Sequence, residues 1–216
     1  MQQRSLFELL TVEVEKAKDL PQPKILLPAK RSKVHDFRES LEQSHKAADL
    51  PLWENLYKQF FAGFQGSTDL RQDGLHQRQG IDRLVHFHNG ICLKTVSIDE
   101  KARAYCRKEW FDRPFSFDIA LEFYSDFERK KPGWVSKPLD CDYIAYAILP
   151  LGQAVLLPVQ QLQRAWELNS DEWLKTYFTA KAPNRSGYVT HSLCVPVDKV
   201  FAAIGANLRA RFDPIN

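Results

Sequence analysis

Residues 80–101 read GIDRLVHFHNGICLKTVSIDEK, two runs in which apolar and polar residues alternate, joined at Asn89-Gly90. Alternation of this kind indicates half-buried β-strands, and Asn-Gly is the dipeptide most typical of a two-residue hairpin turn. The sequence therefore predicts a β-hairpin that carries an aspartate at its start, Asp82, and two acids and a lysine at its end.

The predicted hairpin gathers charged side chains on one face. A two-residue turn pairs Asp82 with Ser97, which makes Asp99 the diagonal neighbour of Asp82 at about 7–8 Å. Lys101 follows Asp99 on the same face, while Glu100 points to the other face. Mg²⁺ keeps several waters and needs only one or two protein carboxylates, so the two aspartates suit it as metal ligands. Lys101 would stabilise negative charge on a phosphate, which makes Asp82, Asp99 and Lys101 the candidate catalytic residues.

A simpler interpretation of these charges stays open. Antiparallel hairpins often carry polar residues on a solvated face, and charged residues at strand ends usually lie in water. The spacing alone does not separate the two interpretations.

The hairpin resembles the signature of the PD-(D/E)XK nuclease superfamily, an Asp at the head of one strand and an Asp-x-Lys at the end of the next. Further blocks between about Leu50 and Ala203 are similar to a subgroup carried by phages and mobile elements. They are Trp53-Glu54, Tyr57, Phe60-Phe61, and the runs 76–83, 98–103, 118–122, 132–134, 137–138 and 141–147. The proline of the nominal signature is absent, and Ile81 stands in its place.

The resemblance implies a restriction-endonuclease-like core and hydrolysis of phosphodiester bonds that depends on Mg²⁺ or Mn²⁺. In this family an additional polar residue often comes from upstream, and Glu54 and Gln79 are both candidates for it. Glu122 lies on the predicted third strand and is a further candidate, although a polar strand residue bonded to a neighbour fits equally well.

A basic loop, residues 126–138, is the candidate nucleic-acid contact. Basic side chains around a glycine and an aromatic residue suit phosphates and a distorted base. The alternative is a surface loop whose tryptophan closes the edge of the core. The residues expected to bind nucleic acid are Arg129, Lys130, Lys131, Trp134 and Lys137.

Composition bounds the remaining classes. The chain has 216 residues, of which 44% are hydrophobic, so it can bury a substantial core. Its net charge of +3 does not by itself argue for nucleic acid. The four cysteines are widely spaced, which favours free thiols over a zinc site or disulfides. No apolar run is long enough to cross a bilayer and the N-terminus lacks a signal-peptide pattern, so we expect a cytoplasmic protein without membrane partners.

Two segments are predicted. Residues 1–49 contain a short helix, about Ser5 to Lys16, and a basic arm broken by prolines that reads either as a linker or as a phosphate contact. Residues 50–216 form the nuclease-like domain, of class α/β (α+β), with a mixed sheet flanked by helices. Its expected elements are helices at 51–63, 159–168, 170–181 and 197–208, strands at 81–88, 91–99, 117–124, 143–149, 154–157 and 187–195, and a polar loop at 66–80.

We therefore expect a metal-dependent nuclease that acts on DNA, encoded by a phage or mobile element and using no small-molecule cofactor. A homodimer is left open, because two-fold symmetric substrates match two-fold symmetric proteins. The alternative is a protein with the same fold that binds DNA or another protein without cutting, as an assembly or inhibitory component.

Overall fold

The computed structural model describes residues 11–13, 52–71, 73, 79–104, 106–184 and 187–207. These residues form a mixed α+β structure of two β-sheets and three α-helices, which confirms the predicted fold class. No helix among them is long and apolar enough to cross a membrane.

The described residues contain three α-helices and ten strands. The helices are α1 (Leu52–Phe60), α2 (Val159–Thr176) and α3 (Val197–Asn207). The strands are β1 (Thr11–Glu13), β2 (Phe64–Asp69), β3 (Arg83–His88), β4 (Leu93–Arg103), β5 (Asp118–Asp126), β6 (Lys131–Pro132), β7 (Tyr143–Ile148), β8 (Gln153–Pro158), β9 (Phe178–Pro183) and β10 (Val189–Pro196).

The first sheet has the strand order β1-β8-β7-β4-β3-β2. Its centre is β7, which runs parallel to β4 and antiparallel to β8. The sequences of β7 and β8 are almost continuously apolar, as expected for strands covered on both faces. The catalytic hairpin predicted from the sequence is the β3-β4 pair of this sheet.

Different partners cover the two faces of the first sheet. Along β7, Ala145 and Ala147 pack with α1 in one cluster, whereas Ile144 and Ile148 belong to a second cluster on the opposite face. This alternation follows the two-residue period of a strand. The second cluster also contains side chains of β5, β10, α2 and α3, so helix α1 covers one face, and the second sheet and two helices cover the other.

The second sheet has the order β6-β5-β10-β9. The sequence prediction of a third strand near residues 117–124 is confirmed as β5, but β5 pairs with β10 and not with the catalytic hairpin. The Ala120 backbone N–H donates to the Tyr146 hydroxyl at 3.1 Å, which joins the second sheet to the centre of the first.

The predicted hairpin turn is wrong by two residues. His88 pairs with Leu93 and Arg83 with Ile98, so the loop has four residues, 89–92. The Asn89 side chain explains this loop, because its Oδ1 accepts the backbone N–H groups of Ile91 and Cys92, each at 3.0 Å. A shift of two residues leaves every side chain on its predicted face.

Three other local predictions are wrong. Residues 64–69 form edge strand β2, which overlaps the start of the polar loop predicted at 66–80, and residues 178–183 form β9 where the sequence predicts a helix end. The two helices predicted at 159–168 and 170–181 are one helix, α2. Asn169 lies inside α2, where its side-chain amide donates to the Ala165 carbonyl at 2.8 Å.

The predicted N-terminal segment lies almost wholly outside the described residues. The three described residues, Thr11–Glu13, form a strand that pairs with β8, so the helix predicted over them is wrong at these positions. The rest of that helix and the basic arm lie outside the described residues.

Gly133 allows the loop after β6 to pack directly on β5. A Cβ atom at this position would lie 2.3 Å from the Glu122 carbonyl oxygen and 2.6 Å from its carbonyl carbon. The Gly133 N–H donates to Phe123 O at 3.0 Å, and the Val135 N–H donates to Glu122 O at 3.1 Å. This close approach fixes the backbone of Glu122.

Gly133→Ala should lower the free energy of unfolding by roughly 1–3 kcal/mol, because the added methyl group meets backbone that must shift. Gly205→Ala is the matched control, since no atom lies within 4 Å of its added Cβ and alanine favours a helix. Urea denaturation of both variants measures the difference. Equal stability of the two variants would contradict the packing described for Gly133.

Candidate active site

Asp82 and Asp99 lie opposite each other at the end of the β3-β4 pairing that is farther from the hairpin loop. Extending the β3-β4 register by one residue places Asp82 opposite Asp99, closer than the predicted diagonal. Directly opposed residues have Cβ atoms about 4.5–5.5 Å apart. The Glu100 backbone N–H holds Asp82 by donating to its Oδ2 at 2.8 Å.

The electrostatics of Asp82 show how close the two carboxyl groups are. Burial, the negative charge of Asp99 and a hydrogen bond between the two carboxyl groups raise the pKa of Asp82 to about 6. The Glu100 N–H and the Lys101 charge oppose this shift without cancelling it. Asp82 therefore holds its proton more strongly than an isolated aspartate does, as expected for a buried acid beside a second acid.

Lys101 lies on the same face and contacts Asp99. Its Nζ is 2.7 Å from Asp99 Oδ1, and its side chain is 33% exposed. Burial alone would lower the pKa of Lys101, but the charges of Asp99, Asp82 and Glu122 together raise it above its usual value. The side chain is therefore an ammonium ion, suited to stabilising negative charge and unsuited to acting as a base.

The charge of Glu122, on β5 of the second sheet, acts on Lys101. Burial raises the pKa of Glu122, against the opposing charges of Lys101 and Lys137 and a hydrogen bond from the Trp134 backbone N–H. The charge of Glu122 in turn helps to raise the pKa of Lys101. The charge of Glu122 therefore acts on Lys101, although Glu122 does not form a metal-binding group with Asp82 and Asp99 among the residues that the structure describes.

The oxygen atoms of this site suit a divalent metal ion. Within the described ranges, no three His, Cys, Asp or Glu side chains are grouped closely enough to hold a metal by themselves. Asp82 and Asp99 nevertheless supply oxygen ligands and carry two negative charges at one point when both are ionised. Such a pair fits Mg²⁺, which completes its octahedron with water and substrate phosphate.

Glu54 does not belong to this site. Its side chain is 58% exposed and pairs with Lys58 one helical turn away at 3.7 Å. Helix α1 packs on the opposite face of the hairpin from Asp82 and Asp99, so the prediction of Glu54 as an active-site residue is wrong. Gln79 lies three residues before Asp82, is half-buried, and stays a prediction.

The basic loop is divided between two places. The charge of Lys137 acts on Glu122, whose pKa it lowers against the effect of burial. Arg129, Lys130 and Lys131 lie past the C-terminal end of β5, exposed, and Arg129 pairs with Asp126 at 2.7 Å.

Trp134 is 8% exposed and belongs to the core cluster between the sheets. The prediction that its indole stacks on a base is therefore wrong, because its ring packs inside the protein. The alternative interpretation, a tryptophan that closes the edge of the core, describes the structure.

Sequence analysis missed three residues behind the hairpin, namely Tyr57, Arg83 and Glu100. Tyr57 Oη donates to Glu100 Oε1 at 2.7 Å, and Arg83 Nε donates to the same oxygen at 2.6 Å. The sequence did contain a signal for this network. Strand alternation places Arg83 and Glu100 on the face opposite Asp82 and Asp99, among apolar residues that meet the core. Charged residues on a buried face imply a partner across the pair of strands.

The four cysteines form no disulfide. All are free thiols, as predicted; Cys141 and Cys194 are buried, Cys106 is half-buried and Cys92 is exposed. Burial and the nearby Asp99 charge raise the pKa of Cys141 to about 12, so its thiol stays protonated beside the site.

No family model, curated protein or solved structure matches this chain. The functional interpretation of the site therefore rests on its geometry and on the resemblance of its motifs.

Asp82→Asn should stabilise the metal-free protein near neutral pH. The pKa of Asp82 is higher in the folded state than its ordinary 3.8, so its contribution to stability is fully present below pH 3.8 and is lost as the pH rises through about 6. The neutral amide of asparagine does not ionise, so the variant avoids this loss. We expect its free energy of unfolding to be higher than that of wild type by up to roughly 3 kcal/mol at pH 8.

Asp99→Asn is the matched comparison, because it removes the attraction to Lys101 together with the repulsion from Asp82. We expect no comparable gain from it. Urea denaturation in EDTA at pH 4 and pH 8 distinguishes the variants. An Asp82→Asn protein that is no more stable than wild type at pH 8 would contradict the close carboxylate pair.

Proposed function

We propose that the protein is a metal-dependent nuclease that hydrolyses phosphodiester bonds of DNA. The observation that carries this proposal is the meeting of Asp82, Asp99 and Lys101 on one face of adjacent strands. It is supported by the resemblance of these residues to the PD-(D/E)XK signature. The resemblance also favours a phage or mobile-element protein that works in the cytoplasm.

Each residue has a defined part in this proposal. Asp82 and Asp99 would hold Mg²⁺ or Mn²⁺, and the ion would supply an activated water and neutralise phosphate charge. Lys101 places a positive charge beside Asp99, where it stabilises negative charge that grows on the phosphate in the transition state. Glu122, on the second sheet, helps to keep the Lys101 ammonium charged.

The Glu100 backbone N–H keeps Asp82 turned towards its partner. Below pH 6 the Asp82 proton competes with a metal ion, because a carboxylate must lose its proton to act as a ligand. Metal affinity should therefore fall as the pH drops below that value.

A binding protein that does not cut is the alternative. This alternative is favoured by the small number of side chains that could hold a metal ion. No three metal-ligating side chains are grouped in the part of the chain that the structure describes. In that case DNA or a protein partner would contact the same face without hydrolysis. A homodimer is compatible with either function.

The cleavage assay uses the full chain with plasmid, linear duplex, single-stranded and branched DNA in Mg²⁺, Mn²⁺ or EDTA. Asp99→Asn and Lys101→Ala should each lower the cleavage rate at least ~100-fold, because each removes charge from the reacting centre. Glu167→Gln is the control, as this exposed residue pairs with Arg164 on α2.

Cleavage that needs a metal and disappears in both variants supports the nuclease. DNA binding without cleavage in either metal supports the alternative. Cleavage that persists in both variants would place the active site elsewhere.

Salt dependence tests the basic loop separately. Removing one side chain that binds a phosphate should reduce the slope of log K against log salt by about 0.7–0.9. The slope should become less steep in the double variant Lys130→Gln and Lys131→Gln, and also in Lys137→Gln. It should stay unchanged in Lys199→Gln on α3. Fluorescence anisotropy with labelled DNA in EDTA measures these slopes. Unchanged slopes in the loop variants would remove the loop from the DNA-binding surface.

A further inference from the structure

A buried network of polar side chains lies directly behind the candidate active site. It begins at Tyr57 on α1, passes through Glu100 on β4 and Arg83 on β3, and reaches Asp69 at the end of β2. The Arg83 guanidinium lies 3.7 Å from Asp69 and also donates to Ser67 Oγ at 3.4 Å. The network therefore ties one helix and three strands together on the face opposite the two aspartates.

The centre of this network is closed to water. The Glu100 side chain is 4% exposed, that of Arg83 is 11% exposed, and Tyr57 is fully buried. Burial and the Glu100 charge raise the pKa of Tyr57 well above its usual value, so the phenol keeps its proton and donates. Both hydrogen bonds converge on a single oxygen of Glu100, Oε1.

The second carboxylate oxygen of Glu100, Oε2, indicates that this side chain does more than fill space in the core. Oε2 is buried and has no hydrogen-bond partner among the described residues. A buried carboxylate oxygen without a donor costs free energy, and an apolar side chain would fill the same space without that cost. The carboxylate is explained if the Glu100 side chain has to keep one orientation, since the donors of Tyr57 and Arg83 hold it in one conformation.

Glu100 connects this network to the catalytic face through its own backbone. It lies between Asp99 and Lys101, and its N–H donates to Asp82 Oδ2 at 2.8 Å. Any rotation of the strand about its axis would move Asp99 and Lys101 together and pull the amide away from Asp82, because neighbouring residues alternate between the faces. Anchoring the Glu100 side chain on one face therefore fixes the groups on the other.

We propose that Tyr57, Glu100 and Arg83 are positioning residues, which hold the Glu100 amide against Asp82 and thereby set Asp82, Asp99 and Lys101 in their working geometry. This inference rests on the proposed nuclease function. None of the three touches the reacting atoms; they act through β3 and β4.

The test compares four variants of the full chain. Tyr57→Phe removes one donor and keeps the ring, Glu100→Ala removes the anchor, and Glu100→Gln keeps an oxygen that can accept both hydrogen bonds. Tyr143→Phe is the control, because Tyr143 packs against Phe61 in the same cluster and makes no hydrogen bond to Glu100.

The first readout is hydrogen exchange of the Glu100 amide in metal-free protein, measured by NMR. Tyr57→Phe should speed exchange at Glu100 by about tenfold relative to the amides of the central strand β7, since only the local anchor is weakened. Tyr143→Phe should leave this ratio unchanged. A Glu100 amide whose exchange rises only in step with β7 would show a general loss of stability and overturn the proposal.

The second readout is steady-state cleavage at equal concentrations of folded protein. Tyr57→Phe should lower kcat by roughly 10- to 100-fold with KM for DNA within about twofold, because the substrate still binds but the reacting groups are displaced. Glu100→Gln should retain more activity than Glu100→Ala. Wild-type kcat in Tyr57→Phe would overturn the proposal, even if Glu100→Ala fails to fold.

The two proposals fail differently. Wild-type protein that cuts no DNA contradicts the nuclease, and the exchange ratio at Glu100 then decides the positioning network alone. Cleavage by wild type with an unchanged exchange ratio in Tyr57→Phe contradicts the network and leaves the nuclease standing.

Discussion

The pairing of β3 with β4 places the carboxyl groups of Asp82 and Asp99 close together. Groups around them offset part of the resulting electrostatic repulsion. Asp82 and Asp99 repel each other when both are ionised, and this repulsion joins burial in raising the pKa of Asp82 to about 6. The Lys101 ammonium and the Glu100 amide offset part of the effect. A fold that needed only a hairpin would have no reason to place two acids there. The arrangement is explained if a cation takes the place of the shared proton.

The two faces of the hairpin carry different sets of charged groups. The face with Asp82, Asp99 and Lys101 turns towards the second sheet, and the charge of Glu122 on β5 acts on Lys101. The opposite face carries the network of Tyr57, Glu100 and Arg83 under helix α1. Strand alternation makes this division possible, because neighbouring residues of one strand serve different faces.

The sequence was enough to place Asp82, Asp99 and Lys101 on one face of the hairpin, because that placement depends only on whether the residue spacing is odd or even. The hairpin loop is two residues longer than predicted, since the Asn89 side chain caps it, yet an even shift leaves every residue on its predicted face. Which residues form each strand of the sheet was less predictable. Strand β2 contains glycine, serine, threonine and aspartate, which favour loops, and only its pairing with β3 makes it a strand.

Tertiary contacts account for the remaining differences. Glu54 carries the chemistry expected of an upstream ligand, but α1 turns Tyr57 and not Glu54 towards the hairpin. Trp134 lies in a basic loop and still packs in the core, because Gly133 lets the loop settle on β5. Neither orientation is encoded in local spacing, since each depends on how a separate element docks.

Calorimetry of Mn²⁺ binding, performed at pH 5 and pH 8 in buffers of different ionisation enthalpy, tests the central claim most directly. An ion that replaces the shared proton should release about one proton per site at pH 5 and almost none at pH 8. Asp82→Asn should abolish that difference. Mn²⁺ binding with the same proton release at both pH values, or no binding at pH 8, would contradict the account.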